Sequence, residues 1–371
     1  MKKLVVLLLA LLLCTPLLAS CTSQPTGSTD TTGASTATDQ TTSTQPATVS
    51  FTDDAGRTVD IPSPSSITKV APSGSVAQMY LMAIAPDLLA SISAPYSASD
   101  GRYIAQDLLN LPVVGQFYGS DDINYESIAA IGPQLIIDIG EPKDTVVQDM
   151  DNISANTGIP AIHITATTQN TADVFRTLGK LLGREDKGEQ LAEFCENMLS
   201  QTDDIMSKVG NNKADVLYCL GTDGLSVLAN GSYQSSTLDY VANNLAVVES
   251  PSAKGTGNTS NLEQISLWDP KVILFGPDSI YSTVATDPTW NKITAISSGN
   301  YYEVPEGPYN WMSAPPSINM YLGLIWLPKV LYPQYATYDL YQETKQYFDL
   351  FYGYNLTQAD FDQLTANSLP K

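Results

Sequence analysis

Two segments of this chain, NYESIAAIGPQLI at 124–136 and NLEQISLWDPKVI at 261–273, follow one pattern, N-x-E-x-I-x-x-x-x-P-x-[LV]-I. In each, an Asn able to cap a helix comes first. A Glu then sits in the first turn, where the helix dipole favours a carboxylate, and a Pro ends the helix before an apolar run. Helix-loop-strand grammar alone accounts for the Pro and the Ile. Asn and Glu at identical spacing point further, to one substructure used twice and hence to two equivalent α/β lobes.

The surroundings of each copy agree. Short apolar runs at 67–71, 88–92, 113–114, 135–139 and 161–164, and again at 215–220, 225–229, 272–275 and 301–304, alternate with helix-like stretches. Strands that alternate with helices predict βα units and a mainly parallel sheet. FTDDAGRTVDIP, at 51–62, predicts a hairpin about an Asp-Ala-Gly turn. Between the two sets, Leu191, Phe194, Cys195, Met198, Leu199, Ile205, Met206 and Val209 recur at helical spacing with no Pro from 184 to 209. At about 1.5 Å per residue this predicts a strut of roughly 35–40 Å. The alternative is two shorter helices broken near Gly188, since Gly costs about 1 kcal/mol within a helix. A length of 371 residues, 43% of them apolar, suits two domains at about 150 residues each.

Before the first lobe, Lys2 and Lys3 precede an apolar run at 4–13 that is too short for a membrane span and has the layout of an export signal. Leu18-Ala19-Ser20-Cys21 resembles a bacterial lipobox, which makes Cys21 the expected lipidated first residue of the mature chain and fixes the protein to the outer face of the cell membrane. A tether at 22–49, rich in Ser and Thr, follows; it suits a cell with one membrane. The expected order is therefore signal peptide 1–21, tether 22–49, N-terminal lobe 50–183, interlobe helix 184–210, and C-terminal lobe with its terminal helices 211–371. Cys195 and Cys219 lack CxxC spacing and read as buried free thiols.

Composition narrows the chemistry. A net charge of −21 offers no counterion-release gain to a polyanion, so nucleic acid is not an expected partner. The single histidine, His163, lies in a strand-like run, where it reads as a locally bonded strand residue, with axial ligation of a haem or corrinoid as the alternative. A catalytic triad or multi-His metal site would have to be built around it alone. GTGNTS at 255–260 is not a phosphate loop, and Asp53-Asp54 and Asp121-Asp122 are adjacent loop acids of the kind usually solvated. No catalytic residue, intrinsic cofactor or protein metal site is assigned, and the chain is not read as an enzyme.

The FTDDAGRTVDIP opening, the two Asn-x-Glu-x-Ile helices leading into GPQLIIDIG and DPKVILFG, the long mid-chain helix and NWMSAPPSINMYLGLIWLPKVLYP together resemble the helical-backbone class (class III) of ABC-importer solute-binding lipoproteins. That class carries ferric siderophores, haem, cobalamin and, in some members, oxyanions. The resemblance covers about 50–335. It implies two Rossmann-like lobes joined by one long helix, a ligand cleft between them and little hinge bending. It also implies a permease dimer with its ATPase as partner, docked through Glu126 and Glu263.

Open α/β sheets bind ligands at the carboxyl ends of their strands, and this rule chooses the same loops. The expected ligand-binding residues are Ser73, Gly74, Tyr96, Phe117, Tyr118, Thr222, Asn258, Tyr309, Asn310 and Trp311. Their aromatics suit a large metal chelate: a ferric siderophore, corrinoid or haem. Many ferric-siderophore receptors of the class carry an Arg where this chain has Ala314, and its only arginines are Arg57, Arg102, Arg176 and Arg184. Lys254 supplies a cation only singly, which favours a neutral or weakly charged ligand. The alternatives are an oxyanion receptor for molybdate or tungstate, and a surface scaffold lipoprotein with no transport role.

Overall fold

The computed structural model describes residues 47–120, 122–252 and 254–370. The expected signal peptide, Cys21 and most of the tether lie outside the described residues.

The chain opens with the predicted hairpin, β1 (Thr48–Thr52) against β2 (Thr58–Pro62), antiparallel and turned at Gly56, whose φ is +78°. β3 (Val70–Pro72), α1 (Ser75–Ile84), α2 (Gln106–Leu109), α3 (Tyr125–Ile131), β4 (Leu135–Gly140), α4 (Val146–Thr157), β5 (Ala161–Thr165) and α5 (Thr171–Leu182) then build the N-terminal lobe. Its sheet is parallel in the order β3-β4-β5. The runs at 88–92 and 113–114, expected as full strands, join only through single parallel bridges, Val70 to Leu89 and Ile92 to Val113.

α6 (Glu185–Val209) is one unbroken helix of 25 residues, so Gly188 does not divide it. Gly188 instead meets Gly179 of α5 backbone to backbone. A Cβ added to Gly188 would lie 2.7 Å from the Phe175 carbonyl oxygen and 3.1 Å from the Gly179 Cα, so the absence of a side chain lets the two helices approach.

Beyond α6 come β6 (Asp215–Leu220), β7 (Ser226–Val227), α7 (Ser236–Val241), β8 (Asn243–Asn244), β9 (Asn258–Thr259), α8 (Leu262–Trp268), β10 (Val272–Phe275), α9 (Tyr281–Val284), α10 (Thr294–Ser297) and β11 (Tyr301–Glu303). The sheet runs β11-β10-β6-β7-β9, with β8 also on β6. It is mainly parallel, as expected, through β11-β10-β6 and β8, with the short strands β7 and β9 antiparallel at one edge. Gly221 to Gly224 is a tight turn, closed by the Gly224 amide on the Gly221 carbonyl at 2.9 Å. So short a link cannot make a parallel crossover, and β7 pairs antiparallel to β6.

Both copies of the repeat fold alike. Asn124 Oδ1 accepts from the Ser127 amide and Asn261 Oδ1 from the Gln264 amide, each at 2.9 Å, and the seven-residue helices α3 and α8 lead to β4 and β10. Their first-turn carboxylates, Glu126 and Glu263, are exposed.

α11 (Met320–Leu331), α12 (Leu340–Tyr352) and α13 (Gln358–Leu364) finish the fold. α12 packs on the N-terminal lobe. Tyr103 stands edge-on to Phe348 and Tyr354 at 5.3 and 5.2 Å, and Phe351 lies 5.8 Å from Phe175 and 5.5 Å from Phe194. One hydrophobic core thus includes α1, α5, α6, α11 and α12.

Candidate functional site

Strand ends and loops from both lobes enclose a cavity of about 760 Å³, inside the size range of small-molecule sites. On the N-terminal side it is lined by Ser73 and Gly74 after β3, the first residues of α1, Gln116 and Tyr118, and Asp138 to Glu141 with Lys143. Facing them are Tyr233 and Gln234, the loop 254–256, Tyr309 and the segment 313–316. A second hollow of about 310 Å³, among Asp100, Arg102, Glu303, Glu306 and Gln363, lies away from the β3 and β4 strand ends. Its cation, Arg102, is engaged with Asp360 at 3.3 Å. The larger cavity, at the strand ends and with an open helix N-terminus, is the candidate site.

α1 supplies that terminus. Gly74 is its N-cap and offers no side-chain cap, and the first hydrogen bond of the helix runs from the Gln78 amide to the Gly74 carbonyl at 2.9 Å. The amides of Ser75, Val76 and Ala77, all cavity residues, therefore lack intrahelical acceptors.

The cavity phenols are tied back into the protein. Tyr118 donates to Asp149 Oδ2 at 2.7 Å and Tyr233 to the Ala166 carbonyl at 2.7 Å, while Tyr309 shares a hydrogen bond with Tyr96. Burial pushes the Tyr118, Tyr233 and Tyr309 hydroxyls well above the ordinary phenol range, and at Tyr118 the Asp149 carboxylate adds to the effect. Burial thus disfavours their phenolate forms. Among the described residues no three His, Cys, Asp or Glu side chains converge to hold an ion.

Two cations reach the cavity. Lys143 lies 3.6 Å from Glu141 and 5.1 Å above the Tyr118 ring, and Lys254 comes from the opposite lobe. The arginines are engaged elsewhere: Arg57 with Asp53 and Asp151, Arg102 with Asp360, Arg176 with Glu189 and Glu196, Arg184 with Asp87. Ala314 lines the wall and brings no charge to it.

Of the expected ligand residues, Ser73, Gly74, Tyr118 and Tyr309 line this cavity. The other six do not, each for a physical reason. Trp311 is fully buried at 0% exposure, a core residue and not a stacking platform. Asn310 is buried and its Oδ1 accepts from the Met312 and Ser313 amides and from Tyr218, so it shapes the loop. Asn258 pins its own loop through the Ser252 amide and the Ser250 carbonyl. Thr222 sits exposed at the tip of the β6–β7 turn. Phe117 stands edge-on behind Tyr118 at 4.9 Å, and Tyr96 backs Tyr309.

Sequence reasoning missed Asp138, Lys143, Tyr233 and Gln234. For Asp138 a signal existed: an Asp inside the apolar strand LIIDIG needs partners, and the only His of the chain lies in the next strand, AIHIT. His163 is buried, with Nδ1 2.6 Å from Asp138 Oδ2 and Nε2 3.2 Å from Thr165 Oγ1. Both ring nitrogens are occupied, as a locally bonded strand histidine requires, and neither is open to a metal.

Two α/β lobes bridged by one helix, with a cavity at the strand ends, define a solute-binding protein. Residues 70–308 match the periplasmic binding protein family, and the chain belongs to it. It is 25% identical over 275 residues to the molybdate-binding protein MolA of Haemophilus influenzae, across 67% of this chain and 74% of MolA. It is also 25% identical over 184 residues to the Fe(3+)-citrate-binding protein YfmC of Bacillus subtilis, across 48% of this chain and 56% of that one. Among solved structures, an ABC transporter solute binding protein from Sulfurospirillum deleyianum is similar at 26% identity and a TM-score of 0.78, over 85% of this chain and 99% of the other. A periplasmic solute binding protein from Veillonella parvula has the same fold, at 23% identity and a TM-score of 0.70, over 87% and 98%.

Proposed function

We propose that this ABC-transporter substrate-binding protein captures a preformed metal chelate of low net charge, such as a ferric siderophore, corrinoid or haem, and delivers it to a permease dimer served by an ATPase. One observation carries the reading. The cavity of about 760 Å³ is far roomier than a tetrahedral oxyanion needs, burial disfavours the phenolate forms of its tyrosines, and among the described residues no three His, Cys, Asp or Glu side chains gather to hold a bare ion. Ser73, Gly74, Tyr118 and Tyr309 form the ligand contacts in this reading, and Glu126 and Glu263 dock the permease from the lobes at 50–183 and 211–371. Native mass spectrometry of protein purified from its source tests the cargo. A bound iron or cobalt chelate supports the reading, and a small oxyanion in its place overturns it.

The oxyanion reading is favoured by the open N-terminus of α1 beside Lys143 and by the likeness to MolA. A scaffold lipoprotein needs no such cavity. Attachment to the outer face of the membrane rests on Cys21. Cys21→Ala should yield protein that is released or retained as uncleaved precursor, and normally lipidated protein from that variant would refute the anchor.

A further inference from the structure

A row of three side chains crosses neighbouring strands, and two of them, Ser73 and Asp138, reach the cavity floor. Ser73 follows β3, Asp138 lies in β4, and His163 is opposite Asp138 in the β4–β5 register. They are 2%, 3% and 1% exposed. Ser73 Oγ donates to Asp138 Oδ1, and His163 Nδ1 lies 2.6 Å from Oδ2. A carboxylate only accepts, so the imidazole proton is on Nδ1 and points at Asp138.

Each Asp138 oxygen therefore takes one hydrogen bond from the protein and keeps further accepting capacity, and Asp138 and Ser73 both line the cavity. Ser73's own proton is committed to Asp138, so toward a ligand its oxygen can only accept. The same holds for Ser75, whose Oγ donates to Gln116 Oε1 at 2.8 Å. Immediately beside these acceptors stand the unpaired first-turn amides of α1. The floor is thus bipolar, with donors for a deprotonated oxygen next to acceptors that would meet such an oxygen lone pair to lone pair.

We propose that Asp138 is a specificity-determining residue, which accepts a hydrogen bond from the ligand and so selects a group that presents a proton-bearing oxygen, a hydroxyl or a metal-bound water, beside a deprotonated one held by the α1 amides. This deepens the solute-binding reading and rests on it. It disfavours fully deprotonated tetrahedral anions at the same floor, because an unmatched acceptor pair loses a charge-assisted hydrogen bond and gains repulsion.

The test uses inorganic anions, so it does not depend on the natural cargo. At neutral pH phosphate and arsenate keep a proton on one oxygen, whereas sulfate and molybdate keep none. Calorimetric titration of the full chain should show phosphate and arsenate binding at least about tenfold more tightly than sulfate and molybdate. In Asp138→Asn, whose amide can donate, that preference should vanish or invert. Equal binding of the two pairs by the wild type, binding of none, or an unchanged preference in folded Asp138→Asn each overturns the proposal. If Asp138→Asn does not fold, the wild-type ratio decides alone. A metal chelate recovered by native mass spectrometry alongside a flat anion ratio would sink the role of Asp138 while leaving the chelate reading intact.

Discussion

The hydroxyls of Tyr96 and Tyr309 share a hydrogen bond across the cleft, their rings edge to face at 5.8 Å. Gln78 Nε2, on α1, points at both oxygens, at 2.8 Å from Tyr96 and 3.3 Å from Tyr309. Tyr309 lines the cavity and Tyr96 does not, so the pair ties the ligand wall of one lobe to the other.

Tyr96→Phe should therefore cost about 1 kcal/mol of stability through the lost bond, with only a small change in ligand affinity. Thermal unfolding and titration with the recovered cargo check the two halves. An unaltered melting temperature would show that the bond carries no stability.

Trp311 and Tyr118 should respond in opposite ways. Trp311→Ala empties a fully buried site and should lower stability by about 3–5 kcal/mol. Tyr118→Ala removes a half-buried ring at the cavity and should weaken ligand binding about tenfold or more with a smaller effect on unfolding. Denaturant titration of both variants separates the roles, and a Trp311→Ala protein of wild-type stability would contradict its burial.

Gly188→Ala tests the helix contact. Ala is the better helix former by about 1 kcal/mol, yet its Cβ would meet the Phe175 carbonyl oxygen at 2.7 Å. Overpacking of that kind costs about 1–3 kcal/mol. Net destabilisation in urea unfolding is expected; a more stable variant would show that α5 and α6 separate easily.

The raised tyrosines give a pH dependence with a definite sign. The folded protein holds these protons at pH values where free tyrosine, with a pKa of about 10, releases them. Their contribution to stability is complete below about pH 10 and is lost as pH rises above it. Because burial disfavours the phenolates and each of these hydroxyls is tied to a protein partner, a ferric salt added without chelator should develop no visible phenolate-to-iron absorption at neutral pH. Appearance of that band would overturn the reading of a preformed complex.

For docking, Glu126→Ala with Glu263→Ala should abolish uptake while leaving ligand affinity and melting temperature near wild type, since exposed charges contribute little to stability. Normal transport by a stably expressed double variant would reject the docking role.

How far the sequence could be read depended on the range of the interactions involved. Asn124 and Asn261 bond to amides three residues away, and such local chemistry shows in spacing. α6 was visible for the same reason, through its period. Ser73 and Gly74 were expected at the cavity because they follow β3, and Tyr118 and Tyr309 because they lie in loops on the same side; all four line it. What failed was direction within a loop: Tyr309 lines the cavity and Trp311, two residues on, is core. Nothing local separates the two, because the outcome depends on where residues 309–316 lie against the other lobe. Tyr233 and Gln234 precede α7, outside any strand-end loop considered, and only tertiary placement brings them to the cavity.

The return of α12 to the N-terminal lobe bears on how the chain is made. Tyr103, Phe175 and Phe194 come early in the sequence, but they pack against Phe348, Phe351 and Tyr354. A ribosome supplies those partners only near the end of synthesis, so the first lobe cannot close its aromatic core while the chain is still emerging. The aromatic core of the first lobe is thus sealed by the last part of the chain to be made, and a chain cut short before α12 would leave Tyr103, Phe175 and Phe194 without these partners.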